Sequence, residues 1–122
     1  MFVLNVPSSL VPKAAARNEE ANMSEVWTLG RWTVMPGKED DFVRGWRDLA
    51  RWTRSEFPTA TGTLLRDRDQ PNVFVSFGRW PDLDAVGQWR GSEGFQQRIA
   101  TIRQLVESFE PHTLDPAAQE PE

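Results

Sequence analysis

The chain has 122 residues, 39% of them apolar and 26% charged, which suits one globular domain with a single core. Its 14 basic residues are outnumbered by 18 acidic ones, giving a net charge of -4, and the two signs are interspersed rather than gathered into basic blocks, so nucleic acid is not an expected partner. The absence of cysteine excludes disulfides, thiolate zinc sites and iron–sulfur clusters, and makes the cytoplasm the simplest expected location.

Residues 1–24 predict a flexible tail. Their apolar run is too short, and their prolines and polar residues too many, for a secretory signal or a membrane-spanning helix, and no membrane partner is expected. Met23 stands directly before the first strand pattern and is an alternative initiator. The preceding residues are then a start-site artefact, and otherwise an arm for packing on a partner subunit; N-terminal sequencing of native protein distinguishes the two.

The segment 26–34 (VWTLGRWTV) is rich in β-branched and aromatic residues and stops at Met35-Pro36-Gly37, a turn, so it reads as the first strand. Over 38–57 the period becomes helical: Phe42, Trp46, Leu49 and Thr53 share one face, widened by Ala50 and Phe57. Glu39, Asp40 and Asp41 in the first turn and Arg51 and Arg54 near the end suit the helix dipole, and Pro58 ends the run. Segments 62–67 and 73–80 predict a β-hairpin around Asp69-Gln70-Pro71-Asn72. The nearby Arg66-Asp67-Arg68-Asp69 reads as a solvated charged turn.

Asp82 is the expected N-cap of a short helix over 83–90, and Ser92 that of the next. Phe95, Ile99, Ile102, Val106 and Phe109 then form a helical apolar stripe, with Gln96, Arg98, Arg103, Gln104 and Glu107 facing away. An extended piece at 111–114 closes the domain, and the Pro-rich acidic tail at 116–122 is expected to be disordered. The fold class is therefore α+β, a βαββαβ order with the second helix split, one ferredoxin-like domain over 25–115 built on an antiparallel four-stranded sheet. With both helices on one face, the other face should be polar, yet Trp27, Leu29, Val26 and Trp32 fall on both parities of the first strand, and Phe74, Trp80, Val73, Val75 and Phe77 on both parities of the third. Both faces require burial, which points to a homodimer packed sheet against sheet.

Several stretches carry a resemblance: a strand leading into PGKEDDF, a long helix with Trp46, EFPTATGTLLRD, VFVSFGRWPDLDAVGQW and SEGFQQRI. Across 27–114 the chain resembles the antibiotic biosynthesis monooxygenase family. The resemblance implies a dimeric α/β barrel with a pocket between helices and sheet in each subunit. For some relatives it implies oxidation of aromatic substrates without metal or flavin, so no cofactor is expected.

The haem-degrading branch of that superfamily uses an Asn in the first strand, a Trp after the third and a His in the last helix. The corresponding residues here are Gly30, Trp80 and Ile99, and haem degradation is not expected. His112, the one histidine, lies past the last helix beside Pro111 and reads as structural or exposed, so no metal site is expected.

The same resemblance assigns Thr28, Gly30 and Trp32 to the pocket side of the first strand, and alternation from Trp80 adds Phe74 and Ser76. Trp46, Leu49, Trp89 and Ile99 complete an aromatic, mostly apolar substrate-binding lining suited to a flat hydrophobic ring system. Trp80 is the candidate for orienting a ring, and Ser76, Arg31 and Arg79 are the candidates for stabilising a developing oxyanion. The chain has no Tyr, and no His or Asn falls clearly on the pocket side, so the usual proton-transfer groups are missing. Two functions stay open: a cofactor-independent monooxygenase acting on an aromatic, polyketide or quinol-like small molecule, and a non-catalytic dimeric module that binds a hydrophobic ligand.

Overall fold

The structure, a computed structural model, describes residues 25–121; the tail expected at 1–24 and Glu122 lie outside the described residues. The elements run β1 (Val26–Val34), α1 (Glu39–Glu56), β2 (Thr63–Arg66), β3 (Val73–Trp80), α2 (Leu83–Gly91), α3 (Glu93–Arg103) and β4 (Val106–Leu114). The strands form one antiparallel sheet in the order β2-β3-β1-β4, the ferredoxin-like arrangement. Residues 115–121 are exposed and carry no regular structure.

Local chemistry explains the boundaries. Gly37 has φ +90, a left-handed conformation that glycine adopts freely, and its N–H donates to Glu39 Oε1 at 2.9 Å, which turns the chain from β1 into α1. The Asp82 carboxylate accepts from the Ala85 N–H at 2.8 Å and starts α2. Ser92 serves both neighbouring helices: its hydroxyl donates to the Trp89 carbonyl at 2.7 Å and accepts from the Phe95 N–H at 3.2 Å. In the β2–β3 turn, Asp67 Oδ1 accepts from the N–H groups of Asp69 and Gln70 at 2.8 and 3.0 Å.

One expectation is corrected. The stripe Phe95, Ile99, Ile102, Val106 and Phe109 does not stay helical; α3 stops at Arg103, and Val106 and Phe109 belong to β4. Thr33 pairs with Ser108 but Val34 with Val106, so Glu107 is an extra residue at a bulge. A strand alternates sides every residue, and the bulge absorbs one, so positions 106 and 109 reach the same inner face. Their spacing of three imitates a helix turn. Phe109 then stacks on Trp32, with ring centroids 3.8 Å apart.

The inner face of the two central strands grades from large to small to large. Register sets Val26 opposite Trp80, Thr28 opposite Gly78, Gly30 opposite Ser76 and Trp32 opposite Phe74. At one end Trp32, Val34 and Phe74 join Phe42 and Leu49 of α1 and Ile99 and Ile102 of α3 in the main core. At the other end Val26 and Trp80 pack with Val86 of α2. Each of these buried apolar side chains contributes about 1.5–3 kcal/mol. Between the two clusters the floor is made of Thr28, Gly30, Ser76 and Gly78, too small to meet the helices.

Candidate functional site

That short run of small residues opens a cavity of about 810 Å³ between the sheet and the helices, a size suited to a drug-sized ring system. Thr28, Gly30, Trp32, Trp46, Leu49, Ser76, Trp80, Trp89 and Ile99 all line it, as their sequence positions predict. The deep walls are nearly inaccessible, with Trp32 at 3% and Trp80 at 2% exposure.

Three tryptophans in the wall are held by the same device. Trp32 Nε1 donates to Ser76 Oγ at 2.9 Å, Trp80 Nε1 to Thr28 Oγ1 at 3.2 Å and Trp89 Nε1 to Thr53 Oγ1 at 2.9 Å. Each bond satisfies an indole N–H that would otherwise be stranded in an apolar wall. Each also fixes how its hydroxyl can act: with a lone pair engaged by the indole, the O–H remains a donor. Among the described residues none of these three hydroxyls donates to another protein group. Rings extend the walls, with Trp80 4.7 Å from Trp89 and Trp89 4.5 Å from Phe95 between centroids.

Gly30 is part of the same construction. A Cβ there would lie 2.8 Å from Phe109 Cε1, 3.0 Å from Ser76 Oγ and 3.1 Å from Trp32 Nε1, so the missing side chain is what lets the Trp32–Ser76 bond cross the floor. At Gly78 the space is taken instead by the backbone carbonyl of Thr61.

Three predicted site residues are placed elsewhere. Arg31 and Arg79 stand on the opposite face of the sheet, because odd positions of β1 and β3 alternate away from Trp32 and Trp80. Arg31 instead lies 3.9 Å from Glu110 of the neighbouring strand, and Arg79 is exposed. Neither can reach an oxyanion in the cavity. Phe74 is on the inner face but is 2% exposed and packs on Phe42, 4.9 Å between centroids, as core rather than wall. His112 lies on the edge strand opposite Leu29, is exposed, and is one of the residues bordering the cavity.

Three kinds of contributor carry no clear signal in the sequence. Thr53 was visible only as a member of the α1 stripe, with nothing to show that an indole bonds to it. Phe109 was hidden by its apparent helical spacing. Five arginines, Arg47, Arg51, Arg54, Arg90 and Arg103, also border the cavity. Partial burial lowers Arg90 below the usual arginine range through desolvation, and its Nη1 donates to Thr113 Oγ1 at 2.8 Å.

Comparison with known proteins agrees with this architecture. Deoxynogalonate monooxygenase of Streptomyces nogalater is 29% identical over 102 residues, 84% of each chain. The crystal structure of SnoaB, a cofactor-independent oxygenase from Streptomyces nogalater, matches with a TM-score of 0.73 at 28% identity, covering 81% of this chain and 99% of that one. A conserved protein from Methanosarcina mazei shares the fold, with a TM-score of 0.71 at 14% identity over 80% of this chain and 97% of its own. No helix among the described residues is long and apolar enough to cross a membrane. Residues 26–101 match the model of the antibiotic biosynthesis monooxygenase family, and the chain belongs to that family.

Proposed function

We propose that the protein is a cofactor-independent monooxygenase that oxidises a flat aromatic or quinol-like molecule of the anthrone type in the cavity between sheet and helices. The observation that carries this reading is the floor itself, where Ser76 and Thr28 each accept from a tryptophan indole and keep a hydroxyl donor beside the aromatic wall. The likeness to a cofactor-independent oxygenase supports it.

In this reading the substrate supplies the reducing power. An anthrone methylene loses a proton to give an enolate, whose oxygen accepts from Ser76 or Thr28; fixed donors in a low-dielectric wall stabilise that developing charge. The proton leaves to water at the cavity mouth; among the described residues no carboxylate borders the cavity. The electron-rich enolate then reduces oxygen and forms a carbon–oxygen bond. Overall both C–H bonds break, a C=O bond forms, and the two hydrogens leave with the second oxygen atom as water. Trp80 and Trp32, at opposite ends of the floor, orient the ring.

The outer face of the sheet supports a homodimer. Trp27, Leu29, Val75 and Phe77 are only half-buried there, and Leu65 and Leu114 are 53% and 43% exposed. A second copy packed sheet to sheet covers this patch and leaves each cavity to its own subunit.

The test is oxygen consumption by purified, chelator-treated protein against anthrones and hydroquinones, with boiled protein and Trp80→Ala as controls. Uptake above both controls is the expected result. Binding of such compounds without uptake across the panel assigns the cavity to a non-catalytic ligand-binding module instead.

A further inference from the structure

We propose that the arginines bordering the cavity form a collar that selects substrates carrying a carboxylate on the aromatic body, held at the mouth while the reacting ring sits on the floor. This rests on the reading of the cavity as a substrate site and names the class of molecule it takes.

Charge is sorted around the cavity in a way the whole chain is not. Acidic residues outnumber basic ones in the sequence, yet among the described residues Arg47, Arg51, Arg54, Arg90 and Arg103 border the cavity and no Asp or Glu does. Three of the five lie on α1 at i, i+4 and i+7, so they stand on successive turns of one face, where like charges repel. Of the five acidic residues of α1, Glu39, Asp40 and Asp41 lie in the first turn, Asp48 is ion-paired with Arg98 at 3.2 Å across a separate groove, and Glu56 ends the helix without bordering the cavity. Among the described residues no carboxylate pairs with any of the five. Arg90 is met only by the Thr113 hydroxyl and Arg103 by the Phe109 ring, 5.7 Å from its centroid.

Depth separates this collar from the reacting centre. Trp32, Trp80, Leu49 and Ile99 are at most 6% exposed, whereas Arg47, Arg51, Arg54 and Arg103 are exposed. An anion at the mouth therefore meets unpaired guanidinium groups, which bind carboxylates through charge-assisted, often bidentate hydrogen bonds. A neutral ring of the same shape gains only the floor.

A matched pair of probes tests this with the intact chain: anthraquinone-2-carboxylate and its neutral analogue 2-(hydroxymethyl)anthraquinone, each titrated by tryptophan fluorescence quenching. The carboxylate should bind at least about tenfold tighter at low salt, as one charge-assisted hydrogen bond allows. That ratio should shrink when salt is raised to about 0.5 M. It should also fall in the Arg51→Gln/Arg54→Gln double variant, whose exposed substitutions leave the core untouched. Equal binding of both probes, or a ratio unchanged in the variant, overturns the collar while keeping the cavity as a ligand site. Binding of neither overturns the cavity reading as well.

Discussion

The two faces of the sheet are built from the same strands but by opposite rules. The inner face alternates size: large residues at both ends, small ones in the middle, with each buried indole N–H given a hydroxyl partner. The outer face carries an apolar patch, with Trp27 and Phe77 6.4 Å apart between ring centroids and Leu29 and Val75 beside them, flanked by Arg31 and Arg79. A face that leaves room and places donors is suited to holding a small molecule. One that offers an apolar patch rimmed by charge is suited to another protein surface. The lesson is that hydrophobicity alone does not separate the two; the distribution of side-chain size and the pairing of polar atoms do.

The inner face depends most on its anchor at Trp80. Trp80→Ala removes a side chain that is 2% exposed and packs on Phe57, Trp89 and Val86, and should lower stability by about 3–5 kcal/mol in urea unfolding. On the outer face, Val75→Asp introduces a charge where sheets would meet, and should shift the mass in sedimentation from two copies to one while ligand quenching persists. If that variant keeps the dimer, the outer face is not the interface. Gly30→Ala should cost about 1–3 kcal/mol by overpacking against Phe109 and Ser76, and should weaken ligand binding with it. Ser76→Ala should cost about 1–3 kcal/mol, because it leaves the buried Trp32 Nε1–H without its acceptor. Its effect on turnover should exceed that of Val75→Asp, since Ser76 presents a donor to the floor and Val75 lies on the outer face.

Much of this was legible in the sequence because it depends on local patterning. The strand at Val26–Val34, the α1 stripe, the caps at Asp82 and Ser92 and the double-sided apolar pattern of β3 all follow from periodicity and capping chemistry. The resemblance assigns Thr28, and alternation from Trp80 assigns Ser76, to the inner face, and both border the cavity. The same alternation sends Arg31 and Arg79 to the outer face, where their charge cannot serve the cavity. Register was not legible. Without knowing that Gly30 faces Ser76 and Thr28 faces Gly78, four small residues on two strands do not read as one floor. The bulge at Glu107 was equally hidden, because a spacing of three residues carries no mark that says strand rather than helix. The arginines of α1 lie next to the apolar stripe in sequence, but only the closed fold shows that they border a cavity.

The central claim is that the aromatic ligand enters the inner face and leaves the outer one alone. A nitrogen–proton correlation spectrum of the six indole groups, assigned by single Trp→Phe variants and recorded through a titration with anthraquinone-2-carboxylate, tests it most directly. The account predicts that the Trp32, Trp80 and Trp89 signals shift together along one saturation curve while Trp27 stays fixed. A saturating shift of Trp27 with the other three unmoved would contradict it.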